Sequence, residues 1–211
     1  GRNLLRRRNC VGCHEMEGDG GGYRELVEEP SLAPPLLTPE GAKVQPDWLY
    51  AFFRGPITIR PWLEVRMPTF GLEDAHWNEV IDYFAAVSDV GGPFRTHQPT
   101  ATAETTRIGE ELFDLLQCQS CHVLDTIPAD RDVSNLAPDL RMVGERLRPD
   151  WVLEWLIRPL DIQPGTGMPT FFTEYPVSLY PQLEEDAVAQ IQAIRDYLLT
   201  FSGGPSPLRG N

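Results

Sequence analysis

Cys10-Val11-Gly12-Cys13-His14 and Cys118-Gln119-Ser120-Cys121-His122 are the two stretches on which the fold of this chain turns. Each reads C-x-x-C-H, and together they use every cysteine in the sequence. Cysteines three apart on a helical turn project to one side. There their sulfurs can reach the two vinyl groups of one porphyrin, and the histidine that follows lies under the ring with its imidazole toward the iron. This spacing is the attachment signature of c-type haem. C-x-x-C by itself also makes a thiol redox pair or half of a zinc site, and two pairs could make one four-cysteine zinc site. A redox pair does not require the histidine, and a four-cysteine site has no use for it. The doubled motif therefore predicts two covalent haem c groups, held through Cys10, Cys13, Cys118 and Cys121, with His14 and His122 on the irons. Haem c is attached outside the cytoplasm, so the expected compartment is a bacterial periplasm or its equivalent.

Working outward, the motifs sit in a longer repeat. Gly1 stands nine residues before Cys10, and Gly109 nine before Cys118. Leu32-Ala33-Pro34-Pro35-Leu36 pairs with Leu136-Ala137-Pro138-Asp139-Leu140, and Pro46-Asp47-Trp48 with Pro149-Asp150-Trp151. Eight residues after each of those tryptophans comes a proline, Pro56 or Pro159. Met-Pro-Thr-Phe follows in both halves, at Met67–Phe70 and Met168–Phe171, and each half closes on an amphipathic stretch, around Tyr83 and around Tyr197. Landmarks in one order, twice, predict a duplication: a first domain over 1–91, a linker over 92–106, a second domain over 107–203 and a tail over 204–211. The linker is rich in Gly, Pro, Thr and Ser.

Local signals are helical. Pro46 and Pro149 suit the first turn of a helix, and each apolar segment behind them should stop near the next proline. Val188, Ile191, Ile194 and Leu198 recur at helical spacing. No strand pattern of any length appears. The 18 glycines and 20 prolines point to long irregular connections. The fold class is therefore all-α, with each half a few helices and Pro/Gly-rich loops wrapped around a covalent porphyrin. So small a half buries little core by itself.

The order C-x-x-C-H, Pro-containing loop, Met-Pro loop, closing helix resembles the class I cytochrome c family, and the whole chain resembles a dihaem cytochrome c of two tandem class I domains. The resemblance implies Met67 and Met168 as distal iron ligands opposite His14 and His122. It implies that the carbonyls of Pro34 and Pro138 accept a hydrogen bond from the ligand imidazoles, which fixes their orientation. It also implies that Gly1 and Gly109 let the opening and closing helices of each half approach closely. The spans from His14 to Pro34 and from His122 to Pro138 are long for a small member of the family, and the stretch after the second Met-Pro loop is a further insertion.

Other residues carry weaker signals. Trp62, just before the first Met-Pro loop, needs a partner for its indole N–H if buried, and a haem propionate is the candidate. Arg60 and Arg66 flank it as charge-assisted donors to the same group. Met16 reads as packing, Met142 as a weak alternative ligand, and Trp48, Trp151 and Trp155 as core. His76 and His97 have no counterpart in the repeat and read as surface or packing residues. Arg6-Arg7-Arg8 reads as a solvated helix face or a docking patch.

The net charge of −13 over 211 residues disfavours nucleic acid and anionic lipid surfaces and favours a basic protein partner. That attraction should weaken as salt rises. No apolar run is long enough to span a bilayer. The chain opens on what reads as the first turn of a helix, so a trimmed product is expected, with any anchor in a segment outside it. With His and Met filling both axial positions, one-electron exchange is the chemistry left to the iron. The expected function is a relay of single electrons between redox proteins, as a subunit or partner of a membrane respiratory complex, with no catalytic residue and no small-molecule substrate. Such a relay requires the two haems to lie close together. The competing class is a haem enzyme, such as a dihaem peroxidase or the cytochrome subunit of a dehydrogenase. That would need an open or switchable iron, against which the two Met-Pro loops argue.

Overall fold

A left-handed residue stands directly before each cysteine motif, and it sets the path of the chain into both. Asn9 has φ 55° and Gln117 φ 54°. Each ends a leading helix and starts a new turn at the first cysteine. A computed structural model describes residues 1–91, 99–124, 127, 132, 136–180 and 186–209. His97, the start of the expected linker, part of the late insertion and the last two residues lie outside these. The chain divides into two compact units, Gly1–Thr96 with Ser206–Asn211, and His97–Pro205. It is mostly helical.

In the first unit α1 (Arg2–Arg7) leads into α2 (Cys10–Cys13). A short antiparallel ribbon follows, Glu15–Met16 against Asp19–Gly20, in the register Glu15 to Gly20 and Met16 to Asp19. It places Met16 in the core, as packing, and Asp19 beside Arg6 at 2.5 Å. Three helices come next: α3 (Glu40–Lys43), α4 (Pro46–Arg54) and α5 (Asp74–Val87). Pro46 opens α4 because its missing N–H has no helical partner at that position anyway. One face of α4 buries Trp48, Leu49, Phe52 and Phe53, and α5 answers with Trp77, Val80, Ile81 and Phe84. Trp48 stacks on Phe52 at 5.2 Å and Phe53 on Trp77 at 4.7 Å. Burying a side chain of this size contributes about 1.5–3 kcal/mol. The C-terminal turn Pro207–Arg209 packs on α4 and so belongs to this unit, although the sequence reads as a free tail there.

The second unit repeats the order. α6 (Ala103–Leu115) begins inside the stretch expected to be linker. A reciprocal cap explains this: the Thr102 hydroxyl accepts from Thr105 N at 3.0 Å, and the Thr105 hydroxyl accepts from Thr102 N at 3.1 Å. The cysteine turn (Cys118–Ser120), α7 (Val143–Arg146) and α8 (Pro149–Ile157) follow. Pro159 does more than end α8, since it opens a further short helix, α9 (Pro159–Ile162). α10 (Ala187–Leu199) closes the unit, capped by the Asp186 carboxylate at Val188 N, 2.8 Å. Tyr197 on α10 meets Phe113 on α6 and Phe201 edge-to-face, with centroids 5.5 and 4.8 Å away.

In each unit the opening and closing helices touch at a glycine. A Cβ on Gly1 would lie 2.1 Å from Tyr83 Cβ, and one on Gly109 would lie 2.0 Å from the Ala193 carbonyl oxygen. Real Cβ atoms do not approach so closely, so the crossing needs residues without side chains.

Candidate functional site

The cysteine turn of each unit presents its histidine to a loop carbonyl. His14 Nδ1 lies 2.8 Å from the Pro35 oxygen, and His122 Nδ1 2.8 Å from the Pro138 oxygen. A carbonyl can only accept, so Nδ1 carries the proton in both rings and Nε2 keeps its lone pair. Burial pushes both imidazoles toward the neutral form, and the carbonyl bonds act against it. A neutral imidazole with a free Nε2 and a fixed orientation is what a metal ligand requires.

In the first unit the accepting carbonyl is that of Pro35, one residue beyond the expected Pro34. Backbone pairing decides this: Leu37 N donates to Glu15 O at 2.9 Å, which sets the loop against the residue after His14. The Pro34 carbonyl instead accepts from Arg24 Nη1 at 3.2 Å. In the second unit the matching alignment comes from Ala137 N to Cys121 O, 2.9 Å, and Pro138 accepts as expected.

None of the four cysteines is paired in a disulfide. Burial raises Cys10 above its ordinary value and raises Cys118 to about 11, with nearby acidic groups adding to the second shift. Among the described residues, neither unit brings three His, Cys, Asp or Glu side chains together as a zinc site would need.

Met67 is half-buried and packs on the first core with Phe70, Cys10 and Val11. Met168 is half-buried, and its backbone N–H donates to the Thr166 hydroxyl at 3.3 Å. Met142 is fully buried, and Arg146 Nη1 lies 3.8 Å from its sulfur. The Trp62 indole nitrogen is buried with no hydrogen-bond partner among the described residues. His76 Nδ1 is in the same state. Trp48 and Trp151 are core residues, and Trp151 stacks on Trp155 at 5.0 Å.

Arg60 differs from expectation. Its two terminal nitrogens donate to the carbonyls of Ser31 (2.9 Å) and Ala33 (3.0 Å), which ties the loop before Pro35 to the loop before Met67. Arg66 likewise holds its own loop, at the carbonyls of Leu63, Val65 and Pro61. Both arginines are structural clamps here. Hydrogen bonds from a charged donor contribute about 1.5–3 kcal/mol each. Arg60→Leu is therefore expected to lower stability by about 3 kcal/mol, read as a shift in the urea midpoint. Arg60→Lys, with one point donor for two carbonyls, should recover only part of it.

Three features escaped the sequence: Pro35 as acceptor, the left-handed Gln117, and a buried ion pair between Glu40 and Lys43 (2.7 Å). Asn before the first motif is a known left-handed former and was a readable cue, whereas Gln is not.

No protein-family profile matches the chain, and no solved structure matches it. Over 112 residues the chain is 29% identical to a protein described as cytochrome c oxidase subunit 2, from Bacillus subtilis (strain 168). That alignment takes in 49% of this chain and 28% of the relative.

Proposed function

We propose that this chain is a dihaem c-type cytochrome of two tandem class I domains, and that it relays single electrons outside the cytoplasm. The observation that carries the reading is the paired imidazole: in both units a C-x-x-C-H histidine donates from Nδ1 to a proline carbonyl at 2.8 Å. That geometry leaves Nε2 for an iron, and the orphaned Trp62 N–H fits a porphyrin whose propionate would satisfy the indole. Cys10 and Cys13 would anchor one ring through thioethers, and Cys118 and Cys121 the other. His14 and Met67 would hold the first iron, His122 and Met168 the second. Haem supplies, when bound, a one-electron Fe(III)/Fe(II) couple, and thioether ligation raises its potential. Met67 and Met168 would keep water from the bound group, and the Pro35 and Pro138 carbonyls hold each imidazole in one orientation.

The partners are redox proteins, donor and acceptor, and a membrane respiratory complex is the setting. Two facts support this: the distant similarity to an oxidase subunit, and a net charge of −13 that suits a basic partner face. The test is made on protein matured with a haem-attachment system. Denatured protein should retain two covalent haems per chain by mass, and its alkaline pyridine spectrum should be that of a doubly thioether-linked haem. One haem or none overturns the reading, and a high-spin iron in the native protein moves it toward an enzyme.

A further inference from the structure

The two units differ in charge beside the histidine. α3 opens on Glu40, and α7 opens at the same place on Val143. Glu40 is only 6% exposed, and its Oε1 receives Lys43 Nζ at 2.7 Å. Lys43 is the sole lysine of the chain. A buried carboxylate–ammonium pair loses solvation that its own attraction seldom recovers, and an apolar replacement is often neutral or stabilising. Val143, itself buried, shows that an apolar residue fits the equivalent place. Stability therefore gives no reason for the pair.

Its position does. His14 is bonded to the Pro35 carbonyl, Leu37 N to the Glu15 carbonyl at 2.9 Å, and Glu40 N to the Leu37 carbonyl at 3.1 Å. These links fix the start of α3 to the His14 segment. Gly41 sets α3 hard against α5, since a Cβ there would lie 2.2 Å from the Phe84 carbonyl oxygen. Burial disfavours the charged His14 ring most; the Pro35 carbonyl and the Glu40 carboxylate oppose that, while Lys43 and Arg60 add to it. For His122 the influences are burial and the Pro138 carbonyl. The second unit does hold buried acids, but an arginine meets each: Arg141 bonds both oxygens of Asp139, at 3.1 and 2.6 Å, and Arg195 bonds Asp196 at 2.9 and 2.7 Å.

We propose that Glu40 and Lys43 set the reduction potential of the iron held by His14 independently of the iron held by His122, the carboxylate favouring the oxidised metal. This rests on the haem reading above. Reduction adds one electron and no proton to the iron, so a fixed negative charge nearby opposes it and a fixed positive charge assists it. Glu40 and Lys43 are positioning residues, acting through His14; the matching helix of the second unit keeps a cation, Arg146, at the place of Lys43 but has Val143 at the place of Glu40.

The test is a spectroelectrochemical titration of the haem-loaded chain, with the two haems told apart by which signal Met67→Ala removes. Glu40→Gln is expected to favour reduction of the first haem by about tenfold, ~59 mV for a one-electron couple, with the second unmoved. Val143→Glu should lower the second potential and leave the first. A first potential that moves no more than the second in Glu40→Gln, or that falls while its Met–iron band persists, overturns the proposal. If Glu40→Gln does not accumulate, Val143→Glu decides, and an unchanged second potential with ligation intact sinks it. Failure of the haem reading shows earlier and separately, as wild-type protein without two covalent haems.

Discussion

Gly109→Ala should strongly destabilise the second unit. In the middle of a helix the change would normally stabilise by about 1 kcal/mol, because alanine is the better helix former. Here the added carbon would sit 2.0 Å from the Ala193 carbonyl oxygen and 2.8 Å from Tyr197 Cβ. The obstacle is backbone, which cannot rotate away as a side chain would. α6 and α10 must separate, and the Phe113–Tyr197–Phe201 contacts open with them. Overpacking of a tight core costs about 1–3 kcal/mol and sometimes more. With backbone as the obstacle, the expected net loss is about 3 kcal/mol or more, a large part of the whole stability of a small domain. Urea unfolding followed by circular dichroism measures it. Gly55→Ala is the control: its added Cβ meets nothing within 4 Å. It should stay within about 0.5 kcal/mol of wild type. Equal behaviour of the two variants would show that the helix crossing is not as tight as described.

On the ligation proposed above, Met67→Ala and Met168→Ala are expected each to remove one of two Met-ligated low-spin haems and to spare the other. Met67 is half-buried and packs on the same core cluster as Cys10 and Val11. Alanine has no donor, so that axial position opens to water. Loss of the thioether also removes its preference for reduced iron, and the potential of the affected haem should fall. The readout is the red charge-transfer band of Met-ligated ferric haem. Each single variant should lose about half of its intensity and the double variant nearly all of it, an additivity expected of independent sites. Met142→Leu gives the contrast. Met142 is buried in the second unit, so the swap should cost less than about 1.5 kcal/mol and leave the band whole. A full band in both alanine variants would remove Met67 and Met168 from the iron.

Much of this arrangement was legible in the sequence, and the exceptions have physical causes. The Pro-initiated helices at Pro46 and Pro149 and the closing helices around Tyr83 and Tyr197 follow from local chemistry, and the close approach at Gly1 and Gly109 was implied by the family resemblance. Pro34 and Pro35 are indistinguishable locally. Only the long-range bond from Leu37 to Glu15 chooses between them. Arg60 beside a tryptophan has the same sequence signature whether it binds an anion or two carbonyls. Its targets, Ser31 and Ala33, are brought in by the fold. The cap that starts α6 early uses threonine where the familiar pattern has Glu or Gln, so the linker reads longer in the sequence than it is. The Glu40–Lys43 pair gave no signal, because an i,i+3 acid–base pair reads as an exposed helix face.

The crossing of first and last helices has a consequence for how each unit is made. The contact from Gly109 to Ala193 joins the two ends of the second unit, and that from Gly1 to Tyr83 joins most of the first. Closing loops of this length costs about 4 kcal/mol of chain entropy before any packing is gained. Contacts so distant in sequence also slow folding. During synthesis the opening helix and its cysteine turn emerge long before the closing helix that packs on the opening one. Until then both cysteines of a motif remain open on an unfinished chain, so the order of synthesis itself holds a window in which each motif can be reached before its unit closes.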